Sequence, residues 1–513
     1  MKSTVPVYTP GIILFILSLL IGVLCFKDYG MSWDEPIQRG IGVISYNYVF
    51  KGDSTLKNHQ DRDLGTGFEL PLVFLEKGAK LTDSRHIFLM RHLVTHVFFL
   101  VAVFIGYTLI YRLFKSQSIA CLGFILLAFN PRIYAHSYFN SKDIPFLSAI
   151  LITFAICQLA FQKNKTWWYV LLGLACGYAT SIRSMGILLF LFICLFFIID
   201  IISAISKKQV VRNTVINLFL FIASFCCILY IAWPILWYGP IWYFKEEFLT
   251  FAHIWWGGKL TFNGTEYSGR NLPWIYVPEW IAITIPILWL AAGITGIVWV
   301  TVSFIKRPVN YLLNTPQRNF LLYLMFFLIP ILAVIVLHSV NYDDWRHLYF
   351  IYPSFALLAL FALHKIMQGK RRLLVQALCV VQIVFTTIFM VRSHPFEQVY
   401  FNSLVSHKDE YLRKHFDFEY WGCAYKQGLD YILAHDTSSS VRVFWSLDPV
   451  ENNVEMLPAE ERKRIKLVDR NETPYYYITN FRNHPQDYHE YPNTFYQVKV
   501  LNSTVMRVYK VDK

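Results

Sequence analysis

Eleven apolar runs, each close to the length an α-helix needs to cross a hydrocarbon core, constrain this chain more than any other feature. A crossing takes about 20 residues, and such runs lie near 9–26, 93–112, 118–135, 144–161, 167–182, 185–205, 213–237, 277–305, 320–338, 347–364 and 373–391. The expected fold is therefore a polytopic α-helical membrane protein of about 11 transmembrane helices. The first run follows Lys2 and could be mistaken for a signal peptide, but Cys25-Phe26-Lys27 is not a small-residue cleavage site. It reads as a retained anchor.

Composition adds a second unit. Only 16% of the 513 residues are charged, against about 25% in soluble chains, and the charges are uneven. Residues 392–513 hold 33 of the 81 charges in 122 positions. The division expected is a transmembrane domain over 1–391, with long outer loops 27–92 and 238–276, and a small C-terminal α/β domain over 392–513. Within that tail Tyr425, Leu429, Ile432 and Leu433 recur at helical spacing, whereas Val441–Trp445, Tyr475–Ile478, Tyr496–Leu501 and Val505–Val511 read as strands, the last two a hairpin around Asn502-Ser503. The tail's net charge is −1 within a chain of +13. Nucleic-acid binding thus has no basic domain to use. Eight of nine cysteines lie in or beside apolar runs, leaving only Cys423 in the tail, so no disulfide framework is expected.

Orientation follows from Lys and Arg in short loops. With the N-terminus inside, inner loops carry Arg112 and Lys115, Lys163 and Lys165, Lys207, Lys208 and Arg212, Lys306, Arg307 and Arg318, and Lys365 to Arg372, without an acid between the spans. The outer segments carry Asp34, Glu35, Asp61, Asp63, Glu76, Asp143, Glu246, Glu247, Glu266, Asp343 and Asp344. An odd number of spans places the tail outside as well. Chemistry is expected on that face, with the tail a separable modulator whose removal from about 430 onward leaves a folded membrane domain.

The candidate site residues gather in the outer connections. Trp33-Asp34-Glu35-Pro36 opens a stretch over Ile37–Phe50 that could lie as a helix on the membrane. Adjacent carboxylates beside a bilayer suit a general base or a metal ligand, because like charge and desolvation favour the protonated form. A helix cap followed by Pro36 remains the alternative. The polar segment 136–143 holds His136, Asn140, Lys142 and Asp143, where Asp143 can equally cap the next helix and Lys142 reach the headgroups. Arg183 lies outward, against the charge bias, and its fork suits a phosphate. Arg91, Arg270 and the pair Arg346-His347 share its level, each open to a plain headgroup contact. His92 and His96, spaced i,i+4, could chelate a metal, but no HExxH, CxxC or acidic cluster completes a site. No nucleotide loop or nucleophile elbow is present.

Several of these segments together resemble a known class. Trp33-Asp34-Glu35, Phe139-Asn140-Ser141-Lys142-Asp143-Ile144-Pro145, Asp343-Asp344-Trp345-Arg346-His347 through Tyr352-Pro353, His394-Pro395 through Asn402, and Asp417 through Tyr420-Trp421-Gly422 look like GT-C membrane glycosyltransferases. The branch indicated is the bacterial relatives of dolichyl-phosphate-mannose protein mannosyltransferases. That resemblance implies inverting transfer from a polyprenyl-phosphate sugar donor to a lipid, glycan or protein acceptor, at the outer side of a bacterial inner membrane. It implies Asp34 as base, Glu35 and Asp143 as assisting groups or ligands of an optional divalent metal, and Lys142, Arg183 and Arg346, with Arg91 and Arg270, as phosphate partners. Trp33, His136, Asn140, Asp343, Asp344 and His347 are expected to line the substrate. A transporter or flippase of lipid-linked saccharides is the rival, but transporters place charge near the bilayer midplane, and here the polar clusters sit at span ends.

Overall fold

The computed structural model describes residues 8–253 and 257–512, with side chains described throughout except for 247–253. Glu247, one of the acids expected outside, thus lies beyond the described side chains. The helical half runs α1 Thr9–Cys25, α2 Asp34–Lys51, α3 Glu69–Gly78, α4 Ser84–Phe114, α5 Gln117–Ala128, α6 Pro131–Phe139, α7 Asp143–Lys163, α8 Thr166–Ile182, α9 Ile187–Ser206, α10 Arg212–Ala232, α11 Pro240–His253, α12 Tyr276–Thr284, α13 Ile287–Lys306, α14 Pro308–Leu313, α15 Thr315–Val336, α16 Tyr352–Met367 and α17 Arg372–Ser393. A two-stranded ribbon, β1 Lys259–Phe262 with β2 Thr265–Ser268, interrupts it.

Every expected span has a helix, but not every helix is a full crossing. Among the described residues eight are long and apolar enough, and the bent pair α5–α6 makes nine. The count of eleven included α1 and α8, both 17 residues long. The bend between α5 and α6 is 58°; Asn130 caps α6 by accepting from Ile133 N, and Pro131 occupies its first turn. All nine residues of α6 are buried. The segment expected as a polar loop over 136–143 is therefore half helix and, Lys142 excepted, buried. Pro286 likewise splits the run 277–305 into α12 and α13. The Asn402 amide donates to Ala282 O and Ile285 O, both at 2.7 Å, satisfying carbonyls that the break would leave unpaired.

Small residues set one close helix contact. A Cβ on Gly173 would lie 2.3 Å from Phe221 O, and one on Gly177 would lie 2.5 Å from Phe225 O. This small-x-x-x-small spacing lets α8 approach α10 backbone to side.

The C-terminal sheet is built from β3 Val441–Phe444, β4 Ile465–Val468, β5 Tyr475–Thr479, β6 Thr494–Val500 and β7 Ser503–Val511, in the order β4-β3-β5-β7-β6. β3 runs parallel to β4 and β5, while β5, β7 and β6 are antiparallel. Leu501 and Asn502 take φ of 51° and 57°, as a two-residue hairpin turn of this hand requires. A helix over Tyr425–His435 turns Leu429, Ile432 and Leu433 inward, as their spacing predicts.

The tail, expected to be separable, is hydrogen-bonded to the helical half. The Tyr29 hydroxyl donates to Glu397 at 2.9 Å, and Trp33 N donates to Trp421 O at 3.1 Å. Buried Asn453 accepts from Met31 N at 2.9 Å and donates to Met31 O and Gly422 O at 3.1 and 3.0 Å. Arg85 donates to Met456 O at 2.6 Å. Removing residues from 430 onward would strip Asn453 from Met31 and Gly422 and Met456 O from Arg85. Asn453→Ala is expected to cost about 1–3 kcal/mol for the polar groups left unpaired, read as a lower unfolding temperature of the purified protein; an unchanged temperature would show that the joint is not structural.

Candidate active site

Asp34 and Glu35 begin α2, and the helix separates them. Glu35 turns inward, where Ser32 N donates to it at 2.9 Å and His92 Nε2 lies 2.9 Å away. It is 2% exposed and holds the segment that leads into α2. The Asp34 side chain, 37% exposed, turns the other way and accepts from Arg346 Nη1 at 3.0 Å.

Arg346 is the centre of a chain of alternating charge. Its Nη1 is also 3.6 Å from Asp143, and its Nη2 donates to Asp343 at 3.3 Å. Arg183 Nη2 lies 2.8 Å from the other oxygen of Asp143, and Arg482 Nη2 donates to Asp343 at 2.8 Å. Five segments are thereby tied together. The Arg346 guanidinium also lies 4.6 Å from the Trp421 ring centre and 5.0 Å from that of Tyr342, within cation–π range. Removing a guanidinium from water costs several kcal/mol; the surrounding carboxylates and rings offset that cost.

Two adjacent left-handed residues place the carboxylates of the turn before α16. Asp343 and Asp344 have φ of 56° and 62°, a conformation that costs most side chains about 1–2 kcal/mol and that Asp tolerates better than most. The turn sends Asp343 toward Arg346 and Asp344 into the core. Asp344 accepts from Arg132 at 2.8 Å, Tyr349 at 2.9 Å and Tyr420 at 2.6 Å. Burial pushes its carboxyl above the usual range, against the pull of Arg132 and the two hydroxyls. It is a core group, not the substrate-lining residue expected.

Beside the Arg346 cluster opens a cavity of about 370 Å³, lined by Asp34, Lys142, Arg183, Arg346 and His347 together with Gln38, Asp61, Asp63, Tyr342 and others. That is a volume suited to a small ligand. Five residues singled out in the sequence thus converge. Asp63 adds a carboxyl raised to about 6, chiefly by burial and then by Glu246, with Arg62 opposing.

The other expected residues lie elsewhere. Arg91 is buried against Glu69, which also accepts from Ser141, so it is a core ion pair rather than a phosphate ligand. Arg270 is exposed beside the 341–347 turn, where Gly269 O accepts from Asn341 N at 3.2 Å, and is not among the cavity's walls. His136 is buried behind Trp421, whose Nε1 donates to it at 3.1 Å. Asn140 caps α7, its side chain accepting from Asp143 N and donating to Asp143, each at 2.9 Å. The Trp33 ring centre lies 5.6 Å from the Arg482 guanidinium. His92 and His96 do not converge, since His96 Nδ1 meets Ser137 Oγ at 2.7 Å. For a metal the cavity fits poorly, because Asp34, Asp143 and Asp343 share one guanidinium where a cation would have to sit.

Sequence reading missed Arg132, Asp63 and Arg482 as members of this network. Asp63 stood among the outer acids; Arg482 carries no local signal, lying 139 residues from its partner.

Residues 66–250 match the family model for dolichyl-phosphate-mannose-protein mannosyltransferase, a stretch that supplies Lys142, Asp143 and Arg183. In fold, the chain is similar to apo ArnT from Cupriavidus metallidurans, at 12% identity over 97% of each chain with a TM-score of 0.51. The chain thus shares the fold of ArnT. The undecaprenyl-phosphate-bound form of that ArnT is similar at 12% identity, 97% of each chain and a TM-score of 0.48. The oligosaccharyltransferase of Archaeoglobus fulgidus is similar at 10% identity over 92% of this chain and 69% of its own, with a TM-score of 0.47. No curated protein sequence matches the chain. With eight helices long and apolar enough to cross a membrane among the described residues, the chain is an integral membrane protein.

The raised Asp63 has a testable consequence. The folded state binds its proton up to about pH 6, whereas an unfolded Asp releases it near 3.9. Stability is therefore lost as pH rises between those values, and stays lost above them. Asp63→Asn should unfold at a temperature close to the wild type near pH 4 and at a higher one above pH 7. Parallel unfolding curves across that range would show that Asp63 ionises freely in the fold.

Proposed function

We propose that this chain is a GT-C membrane glycosyltransferase that moves a sugar, with inversion, from a polyprenyl-phosphate donor to an acceptor hydroxyl on a lipid, glycan or protein, at the outer face of a bacterial inner membrane. The observation that carries this reading is the cavity in which Asp34, the most exposed carboxylate of the Arg346 cluster, faces Lys142, Arg183 and Arg346. The name of the matching family, which specifies a dolichyl-phosphate-mannose donor and a protein acceptor, supports the donor class. The cation-rich loops at the opposite span ends support the orientation.

The reaction needs two things of the protein. The acceptor oxygen attacks the anomeric carbon from the side opposite the phosphate; its proton passes to Asp34, and the bond to the phosphate oxygen breaks with its electron pair going to the phosphate. Arg183 and Lys142 sit where they can take up that charge, as preorganised electrostatic stabilisation. Arg346 links the two tasks. It pairs with Asp34; a donor phosphate competing for the same guanidinium would release the carboxylate for the acceptor proton. Transport is disfavoured by the placement of the cluster at the ends of α7, α8 and α16, away from the midplane where carriers bind.

Purified protein supplied with radiolabelled polyprenyl-phosphate sugars and a membrane extract should release polyprenyl phosphate and label an acceptor. Asp34→Asn should lower single-turnover transfer by about 10²–10⁴-fold while donor binding persists, since its phosphate is held elsewhere. Near-normal transfer would remove Asp34 from the chemistry. Arg183→Ala should weaken donor binding more than Arg183→Lys, which keeps the charge but loses the fork; unchanged affinity in both would make Arg183 a partner of Asp143 alone.

A further inference from the structure

A second polar cluster lies apart from the cavity, where the end of α1 meets the end of α17. The ligand atoms of Cys25, Asp28 and His394 all lie within 4.8 Å of one another. His394 Nε2 is 3.0 Å from Asp28 Oδ2, and its Nδ1 is 2.8 Å from Glu397 Oε1. Glu397 is itself fixed, because the Tyr29 hydroxyl donates to its other oxygen at 2.9 Å. The imidazole therefore has one nitrogen held by a buried carboxylate and the other turned toward a thiol and a second carboxylate. This is the arrangement by which proteins orient a metal-binding histidine, with the outer carboxylate fixing the tautomer and the ring.

We propose that Cys25, Asp28 and His394 form a zinc site, with Glu397 as the positioning residue for the imidazole. The donor set selects the metal: one thiolate, one imidazole and one carboxylate suit Zn²⁺ and are too soft for Mg²⁺ or Ca²⁺. Bond lengths of about 2.0–2.3 Å in a tetrahedron place ligand atoms roughly 3.3–3.8 Å apart. The cluster reaches that spacing if the Cys25 thiol moves by about an ångström, within the reach of a χ1 adjustment. Three protein ligands leave a fourth position open. Cys25, His394 and Glu397 also line a cavity of about 490 Å³ whose other walls are largely apolar, among them Ile21, Trp289 and Met390, so that position has room for water or for the oxygen of an entering lipid headgroup. Binding releases the thiol proton and leaves the thiolate on the metal.

The test uses the full-length protein, stripped by a chelator, loaded with Zn²⁺ or Co²⁺ and desalted. One zinc per chain should be retained, X-ray absorption should show a single sulfur neighbour at about 2.3 Å, and the cobalt form should carry a thiolate charge-transfer band. Cys25→Ser should lose the sulfur neighbour and that band, Glu397→Gln should weaken zinc binding by about 10–100-fold, and Cys226→Ser, at an exposed thiol on α10, should change neither. Monodisperse elution of each variant separates lost binding from lost folding. If the wild type retains no zinc, or if Cys25→Ser retains it with an unchanged coordination shell, the proposal is overturned and the cluster is an ion pair of His394 with two carboxylates.

Discussion

A buried guanidinium that is always charged must be surrounded by carboxylates, and in this protein Arg346 imposes that requirement on four separate segments. Asp34 comes from the start of α2, Asp143 from the start of α7, Asp343 from the turn before Arg346 itself, and Arg482, through Asp343, from the C-terminal region. Trp421 supplies a ring face to the same group. None of these contacts has a local alternative of equal strength in a site this dry, since a charge left unpaired there costs several kcal/mol. The arrangement of helix ends around the cavity follows from satisfying one side chain.

The same constraint bears on function. A cation held among three carboxylates is preorganised, and its field is already aimed when a ligand arrives. Because Asp34 is 37% exposed at the side chain while Asp143 and Asp343 are 2% and 5%, Asp34 is the partner that an incoming anion can most readily displace. The two buried carboxylates then keep Arg346 and Arg183 in place. On this account Asp143 acts by positioning, and the reacting atoms meet Asp34.

Much of the fold was legible in the sequence because bilayer-length apolar runs leave a strong local signature. The breaks were also written locally, in Asn130-Pro131 and Pro286, but a scan for apolar length passes over them and so merges α5 with α6 and α12 with α13. Polarity misled in a different way. His136 and Asn140 read as a solvent-facing loop, yet their polar atoms are satisfied by Trp421 and Asp143 inside the protein. Adjacent residues expected to act at one site part company: Asp34 faces the cavity while Glu35 holds Ser32 N and pairs with His92, and Asp343 faces Arg346 while Asp344 meets Arg132. Such divisions depend on backbone direction at one residue, which charge spacing does not encode. Arg482 was invisible because its partner lies across the molecule, and the tail looked separable because its charge resembles that of a soluble domain, although Asn453 and Arg482 anchor it in the helical half.

The central claim is that the Arg346 cluster is a phosphate site whose occupation frees Asp34. A structure determined with a polyprenyl phosphate bound tests it most directly. The account predicts the phosphate in the cavity of about 370 Å³, within hydrogen-bonding distance of Arg183 or Lys142 and of Arg346, with the Asp34–Arg346 contact opened from its 3.0 Å. A phosphate bound away from these three side chains, with that contact intact, would contradict it.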